Sequence, residues 1–170
     1  MAFLNPSRTL EKLDLKETWV AADFGSGSGG WVIPLAEKLK QGRVYAIDVL
    51  SEPLSALKGK LRSQNISNVE TIKSNVEQTS KLLAGSCNLV LMTNLLFEIE
   101  HIKEVMSEAK RVLKQDGKVL IVDWKEDARL GPERTVSPEE VKQIAQELGF
   151  KIEEEFEASI YHWGLTLQNP

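Results

Sequence analysis

One cysteine, two histidines and no long apolar run set the first limits on this chain of 170 residues. Cys87 stands alone, so no intrachain disulfide can form and no paired-cysteine zinc or redox motif exists. His101 and His162 are far apart and lack metal-ligand spacing, so no metal site is expected. No segment approaches the roughly 18 apolar residues that cross a bilayer. The opening residues, Met1-Ala2-Phe3-Leu4-Asn5-Pro6, lack the charged start and apolar stretch of a signal peptide. The 21 Lys and Arg are outnumbered by 25 Asp and Glu and are scattered rather than striped. A nucleic-acid surface needs clustered cations, so no nucleic-acid partner is expected. There is also no internal repeat, linker or low-complexity tract. What is left is one domain over residues 1–170, metal-free and cytoplasmic. Its 42% hydrophobic and 27% charged residues are ordinary for a protein with a single buried core.

Short apolar segments alternate with helical periodicity almost from end to end. Strands are expected at 19–24, 43–48, 69–73, 88–92 and 118–123. A helix should start near Trp31, with Leu35 and Leu39 in step and Pro34 in its opening turn. Ser51 reads as the N-cap of another, with Leu54, Leu57 and Leu61 on one face. A short helical piece is expected after the third strand, ending near Gly85. Ile102, Val105, Met106, Ala109 and Val112 form a further stripe, and Asp116-Gly117 turns the chain into the fifth strand. The strongest start is at Ser137, where Glu140 completes a capping box, Pro138 takes the first helical position and Val136 faces Val141. Extended segments at 150–157 and 160–168 leave no room for a crossover and must pair antiparallel. The pattern is α/β: a mostly parallel sheet with helices on both faces, finished by an antiparallel strand.

The chemistry concentrates where the first strand stops. Asp23-Phe24-Gly25-Ser26-Gly27-Ser28-Gly29-Gly30 leads into a helix, and packed glycines let a backbone approach a ligand closely. Gly25, Gly27 and Gly30 fit the dinucleotide spacing GxGxxG, whereas Gly25, Gly27 and Gly29 fit GxGxG. Asp48 ends the second strand, where a carboxylate can accept from both ribose hydroxyls. Loop and acid together mark an adenosine-type site without saying which nucleotide it takes.

The stretch Ala21-Ala22-Asp23-Phe24-Gly25-Ser26-Gly27-Ser28-Gly29 resembles motif I of class I S-adenosylmethionine-dependent methyltransferases. The resemblance continues through Asp48, Ser74-Asn75-Val76-Glu77, Asn88-Leu89-Val90, Arg111-Val112-Leu113-Lys114-Gln115-Asp116-Gly117 and Leu148-Gly149-Phe150. It covers nearly the whole chain and is similar to the small-molecule group of that family, methyltransferase type 11. It implies a Rossmann-like, doubly wound sheet of seven strands with S-adenosylmethionine as cofactor. The implied cofactor-binding residues are Asp23, Gly25, Ser26, Gly27, Gly29, Asp48, Val49, Asn75, Val76 and Thr93. Asp23 would orient the loop and the methionine portion, and Asn75 would meet the adenine. Asn75 stands where the family commonly has Asp, Asn88 replaces the usual fourth-strand Asp, and Gln115-Asp116 replaces Pro-Gly.

Methyl transfer from a sulfonium is an in-line displacement, so positioning and exclusion of water matter more than a catalytic triad. The partner implied is a small-molecule methyl acceptor, bound at the same rim. Asn94, Asp123, Tyr161 and His162 are the catalytic candidates at that rim, with Thr93, Phe97, Trp124 and Lys125 nearby. His162 is the best general base by residue type. The segment 1–14 and the connection 125–136 are candidate covers. Open alternatives are a protein or lipid acceptor, a nicotinamide-binding oxidoreductase fragment and a non-catalytic cofactor-binding subunit. Oligomeric state is not readable.

Overall fold

A computed structural model of the chain describes residues 3–170; Met1 and Ala2 of the expected cover segment lie outside the described residues. Seven strands form one sheet: β1 Val20–Phe24, β2 Arg43–Asp48, β3 Val69–Lys73, β4 Cys87–Thr93, β5 Leu113–Trp124, β6 Lys151–Ser159 and β7 His162–Gln168. Their order is β3-β2-β1-β4-β5-β7-β6. The pairs from β3 through β5 are parallel, while β7 runs antiparallel to both β5 and β6. Helices α1 Pro6–Leu10, α2 Val32–Lys38, α3 Ser51–Ser63, α4 Ile102–Val112 and α5 Pro138–Glu147 connect and cover it. Among the described residues no helix is long and apolar enough to cross a membrane.

The pleat sorts side chains to two cores. Ala21, Leu89, Leu91, Leu120 and Val122 face Leu10, Leu13, Trp31, Val32 and Leu57. Ala22, Phe24, Val90, Met92 and Ile121 face Val105, Met106, Val141 and Ala145. β1 and β4 are buried on both sides, as a parallel sheet between helical layers requires. Strand order reverses between β1 and β4, and the crevice at their carboxyl ends is where such folds hold ligands.

Three local expectations are corrected. Residues 74–86 form turns rather than a helix. Their anchor is tertiary: Glu108 Oε1 accepts from the Ser80 amide (2.7 Å) and hydroxyl (2.5 Å), while Arg111 donates to both Glu108 oxygens and to Leu82 O. Burial pushes the Glu108 carboxyl up, but the hydrogen bonds from Arg111 and Ser80 outweigh it and hold it below the usual range. Glu108→Ala would strand the buried Ser80 groups and is expected to cost about 1–2 kcal/mol in a urea melt.

Ser51 is the first residue of α3, not its cap; Leu50 holds the cap position without a side-chain bond. Asp48 closes that turn instead, accepting from Leu50 N at 3.0 Å. The turn at Asp116 is a bulge within β5: register jumps between Cys87↔Leu113 and Leu89↔Lys118, and Asp116 takes φ 60°. At α5, Ser137 Oγ accepts from Glu140 N, so the expected N-cap is in place.

Candidate active site

The glycine loop is shaped by its neighbours. Gly25 and Ser26 both donate their amides to Ile47 O, at 2.8 and 2.9 Å, binding the loop to the end of β2. Gly27 N donates to Asp48 Oδ2 at 2.9 Å. Asp48 thus uses one oxygen for the loop and the other for its own turn. Gly25 (φ 74°) and Gly29 (φ 93°) are left-handed, and a Cβ at either would strike Leu95 or Leu57 respectively. Gly29→Ala, which combines a strained φ with a clash against the Leu57 side chain, is expected to cost about 1–2 kcal/mol of stability, measured by chemical denaturation.

A cavity of about 260 Å³ opens against this loop. Gly25, Asp48, Val49, Asn75, Val76 and Asn94 line it, so the ends of β1, β2, β3 and β4 converge there. Leu95, Glu98 and Ile99 form one side of the wall. These three belong to a 3-10 turn centred on Leu96–Glu98, which the sequence reading missed. The signal was the apolar pair Leu95-Leu96 one residue past β4, too short to show a period. The Asn75 side-chain oxygen accepts from Glu77 N at 2.9 Å, so part of its capacity is spent on its own turn.

Asp23 Oδ1, Ser26 Oγ and Asn94 Oδ1 are buried polar atoms without a hydrogen-bond partner, carried at or just past the ends of β1 and β4; of these residues Asn94 lines the cavity. Such atoms are costly unless something polar meets them. Burial, and then the charge of Asp48, push the Asp23 carboxyl from 3.8 up to about 8. Asn94 has φ 48° and its amide donates to Val122 O at 2.8 Å, which fixes where its side chain starts. Thr93, the last residue of β4, is buried beside it.

The candidates on the β5 side separate. Asp123 is fully buried, and its oxygens accept from Leu96 N and Trp124 N, both at 2.8 Å. Burial raises its pKa to about 6 even against backbone amides from Trp124 and residues 95–97. Asp123 therefore pins the 3-10 turn. Tyr161 is half-buried, with its backbone carbonyl accepting from Lys125 N at 2.9 Å. His162 is buried with its ring centroid 4.2 Å from that of Trp124. His101, by contrast, is exposed at the start of α4. A second, wider groove of about 880 Å³ lies between the segment 3–12 and residues 156–160.

A parallel Rossmann-like sheet with a glycine cradle, a carboxylate at the end of β2 and an antiparallel β7 inserted beside β6 defines the class: a nucleotide-cofactor domain of the methyltransferase type. The chain belongs to the methyltransferase domain family, whose match spans residues 21–117. It is 32% identical over 102 residues to a protein named as a probable cobalt-precorrin-6B C(15)-methyltransferase (decarboxylating) of Methanocaldococcus jannaschii. That match covers 60% of this chain and 53% of the relative, so the chain spans about half the length of this curated relative. The solved structure of a SAM-dependent methyltransferase from Aquifex aeolicus superimposes with TM-score 0.91 at 28% identity, covering 98% of this chain and 90% of that one. The [4+2]-cyclase SpnF superimposes with TM-score 0.86 at 14% identity, covering 97% of this chain and 79% of that one, and shares the fold alone.

Proposed function

We propose that this chain transfers a methyl group from S-adenosylmethionine to a small-molecule acceptor. The observation that carries the reading is the cavity at the strand-order reversal, where Gly25, the Asp48 carboxylate, Asn75 and Asn94 meet and Asn94 Oδ1 is buried without a partner. A cationic amino-acid moiety and a ribose fit those acceptors. When bound, the sulfonium cofactor supplies an electrophilic methyl with a good leaving group. Everything else falls to the chain. Asp48 would hold the ribose hydroxyls, and Asn75, Val76 and Val49 would border the adenine. Asp23, Gly25, Ser26, Gly27, Gly29 and Thr93 would hold and orient the methionine portion. Leu95 and Ile99, both buried, would exclude water from that wall.

Two observations favour a small acceptor. The described residues form one sheet with its covering helices and no inserted substrate domain. The curated relative's name is that of an enzyme acting on a cobalt-precorrin. Acceptor contact is assigned to the rim beyond β4, where Asn94, Tyr161 and His162 stand; Asp123 serves there by holding the 3-10 turn.

Calorimetric titration with S-adenosylmethionine, S-adenosylhomocysteine and NAD in parallel tests the cofactor. Binding of both sulfur compounds and not of NAD is the expected result. Binding of NAD alone would replace this reading with an oxidoreductase fragment.

A further inference from the structure

Two walls of the cofactor cavity come from segments far apart in sequence. One is the turn after β3, from Ser74 to Glu77; the other is Asn94, Leu95, Glu98 and Ile99, in and around the 3-10 turn. Val76 belongs to the same buried cluster as Leu95, Leu96 and Ile99, so the walls share an apolar core.

Polar contact between them comes from one side chain. Glu77 Oε1 accepts from the amides of Glu100, at 3.2 Å, and His101, at 2.8 Å. Among the described residues no other hydrogen bond joins 74–79 to 94–101. The turn that carries Glu77 is closed on itself. Asn75 Oδ1 accepts from Glu77 N at 2.9 Å, and Asn75 O accepts from Gln78 N and Thr79 N at 3.0 and 2.9 Å. At the receiving end, α4 starts with His101 in the cap position, and that side chain makes no capping bond. A carboxylate near a helix N-terminus is favoured by the backbone dipoles. α4 thus takes from the cavity wall what its own cap residue does not supply.

We infer that Glu77 is a positioning residue: its carboxylate clamps the turn after β3 to the start of α4 and so fixes the separation of the walls that border the nucleoside part of the cofactor. The consequence for the ligand rests on the methyl-transfer reading; the clamp does not. A flat base binds by dispersion against both walls, and a gap of roughly 0.5–1 Å already forfeits a quarter to a half of each contact. Walls held in place before the ligand arrives also spare it the cost of ordering them.

A residue that only capped α4 would make the same two hydrogen bonds, and a pair of variants separates the roles. Glu77→Ala removes both bonds. Adding His101→Asp gives α4 a side-chain cap of its own, accepting from amides of its first turn, but builds nothing across the cavity. Urea melts should show stability lost in Glu77→Ala and largely regained in the double variant. Calorimetry should show affinity for S-adenosylhomocysteine about tenfold lower in both. Glu77→Gln, whose amide oxygen still accepts from both groups, should stay within about threefold of wild type. Affinity that returns with stability in the double variant would reduce Glu77 to a cap and overturn the inference.

Hydrogen exchange of the ligand-free protein tests the clamp without the cofactor. The amides of Gln78, Thr79, Glu98 and Ile99 are bonded within the two walls. They should exchange faster in Glu77→Ala and stay fast when His101→Asp is added. Wild-type exchange at all four in either variant would sink the proposal. If S-adenosylhomocysteine does not bind the wild-type protein, the cofactor reading fails by itself, and the exchange pattern alone decides the clamp.

Discussion

Asp23→Asn is expected to stabilise the ligand-free protein at pH 8 and at the same time weaken its binding of S-adenosylmethionine. Asp23 is 1% exposed, one oxygen has no partner, and its pKa stands at about 8 against 3.8 for an ordinary Asp. The folded state therefore keeps a proton that the unfolded chain releases above about pH 4. The favourable contribution of Asp23 is complete below pH 4 and is lost as pH rises through about 8. Asparagine carries no such titration. The stability difference between variant and wild type should grow from pH 4 to pH 8, level off above that, and reach on the order of 5 kcal/mol. Thermal melts across that range measure it. Parallel pH profiles for the two proteins would mean that Asp23 is ionised against a partner in the folded state.

Binding should move the other way. A cationic group brought to Asp23 favours its carboxylate, so donor binding at neutral pH should release a proton. Calorimetric enthalpies should then vary with the ionisation enthalpy of the buffer in the wild type and not in Asp23→Asn. Affinity in the variant should be lower by about tenfold, a charge-assisted contact having become a neutral one. A site that is destabilising when empty and favourable when filled is a known exchange of stability for function.

Asp48→Ala is expected to weaken binding of S-adenosylmethionine and S-adenosylhomocysteine alike, by about 1–3 kcal/mol. Its carboxylate accepts from Gly27 N in the glycine loop and from Leu50 N in the turn before α3. Removing it frees both amides and deprives a ribose of its acceptor. Because Asp48 is also the second cause of the raised Asp23 pKa, its loss should lower that pKa. The two substitutions share one electrostatic interaction, so their effects on affinity should not add. Unchanged affinity in a folded Asp48→Ala protein would remove Asp48 from the site, and strictly additive effects would show that the two carboxylates act independently.

Much of this molecule is written in local pattern. Apolar runs ending in glycine, the heptad-like stripe of α4 and the Ser137 cap each depend on neighbours within a few residues, so the alternation of strands and helices follows from the sequence itself. So does the position of the glycine loop between β1 and α2, with Asp48 at the end of the next strand. The lack of room between the last two strands dictated their antiparallel pairing.

Tertiary structure decided the rest, because partners and burial come from segments that are distant along the chain. Glu108 takes over the Ser80 amide from another layer, and residues 74–86 stay non-helical. Asp123 is spent on backbone amides of the 3-10 turn, which only the proximity of β4 and β5 brings to it. Asp23 Oδ1 and Asn94 Oδ1 are left without partners because β1 and β4 run side by side and bury them near the strand ends. The hairpin folds Ser159 Oγ back to 2.9 Å from His162 Nδ1, a contact that no local pattern announces. Sequence determined which chemical groups are present and on which elements they ride; the packing of those elements determined which groups are satisfied, which are left free, and therefore which can meet a ligand.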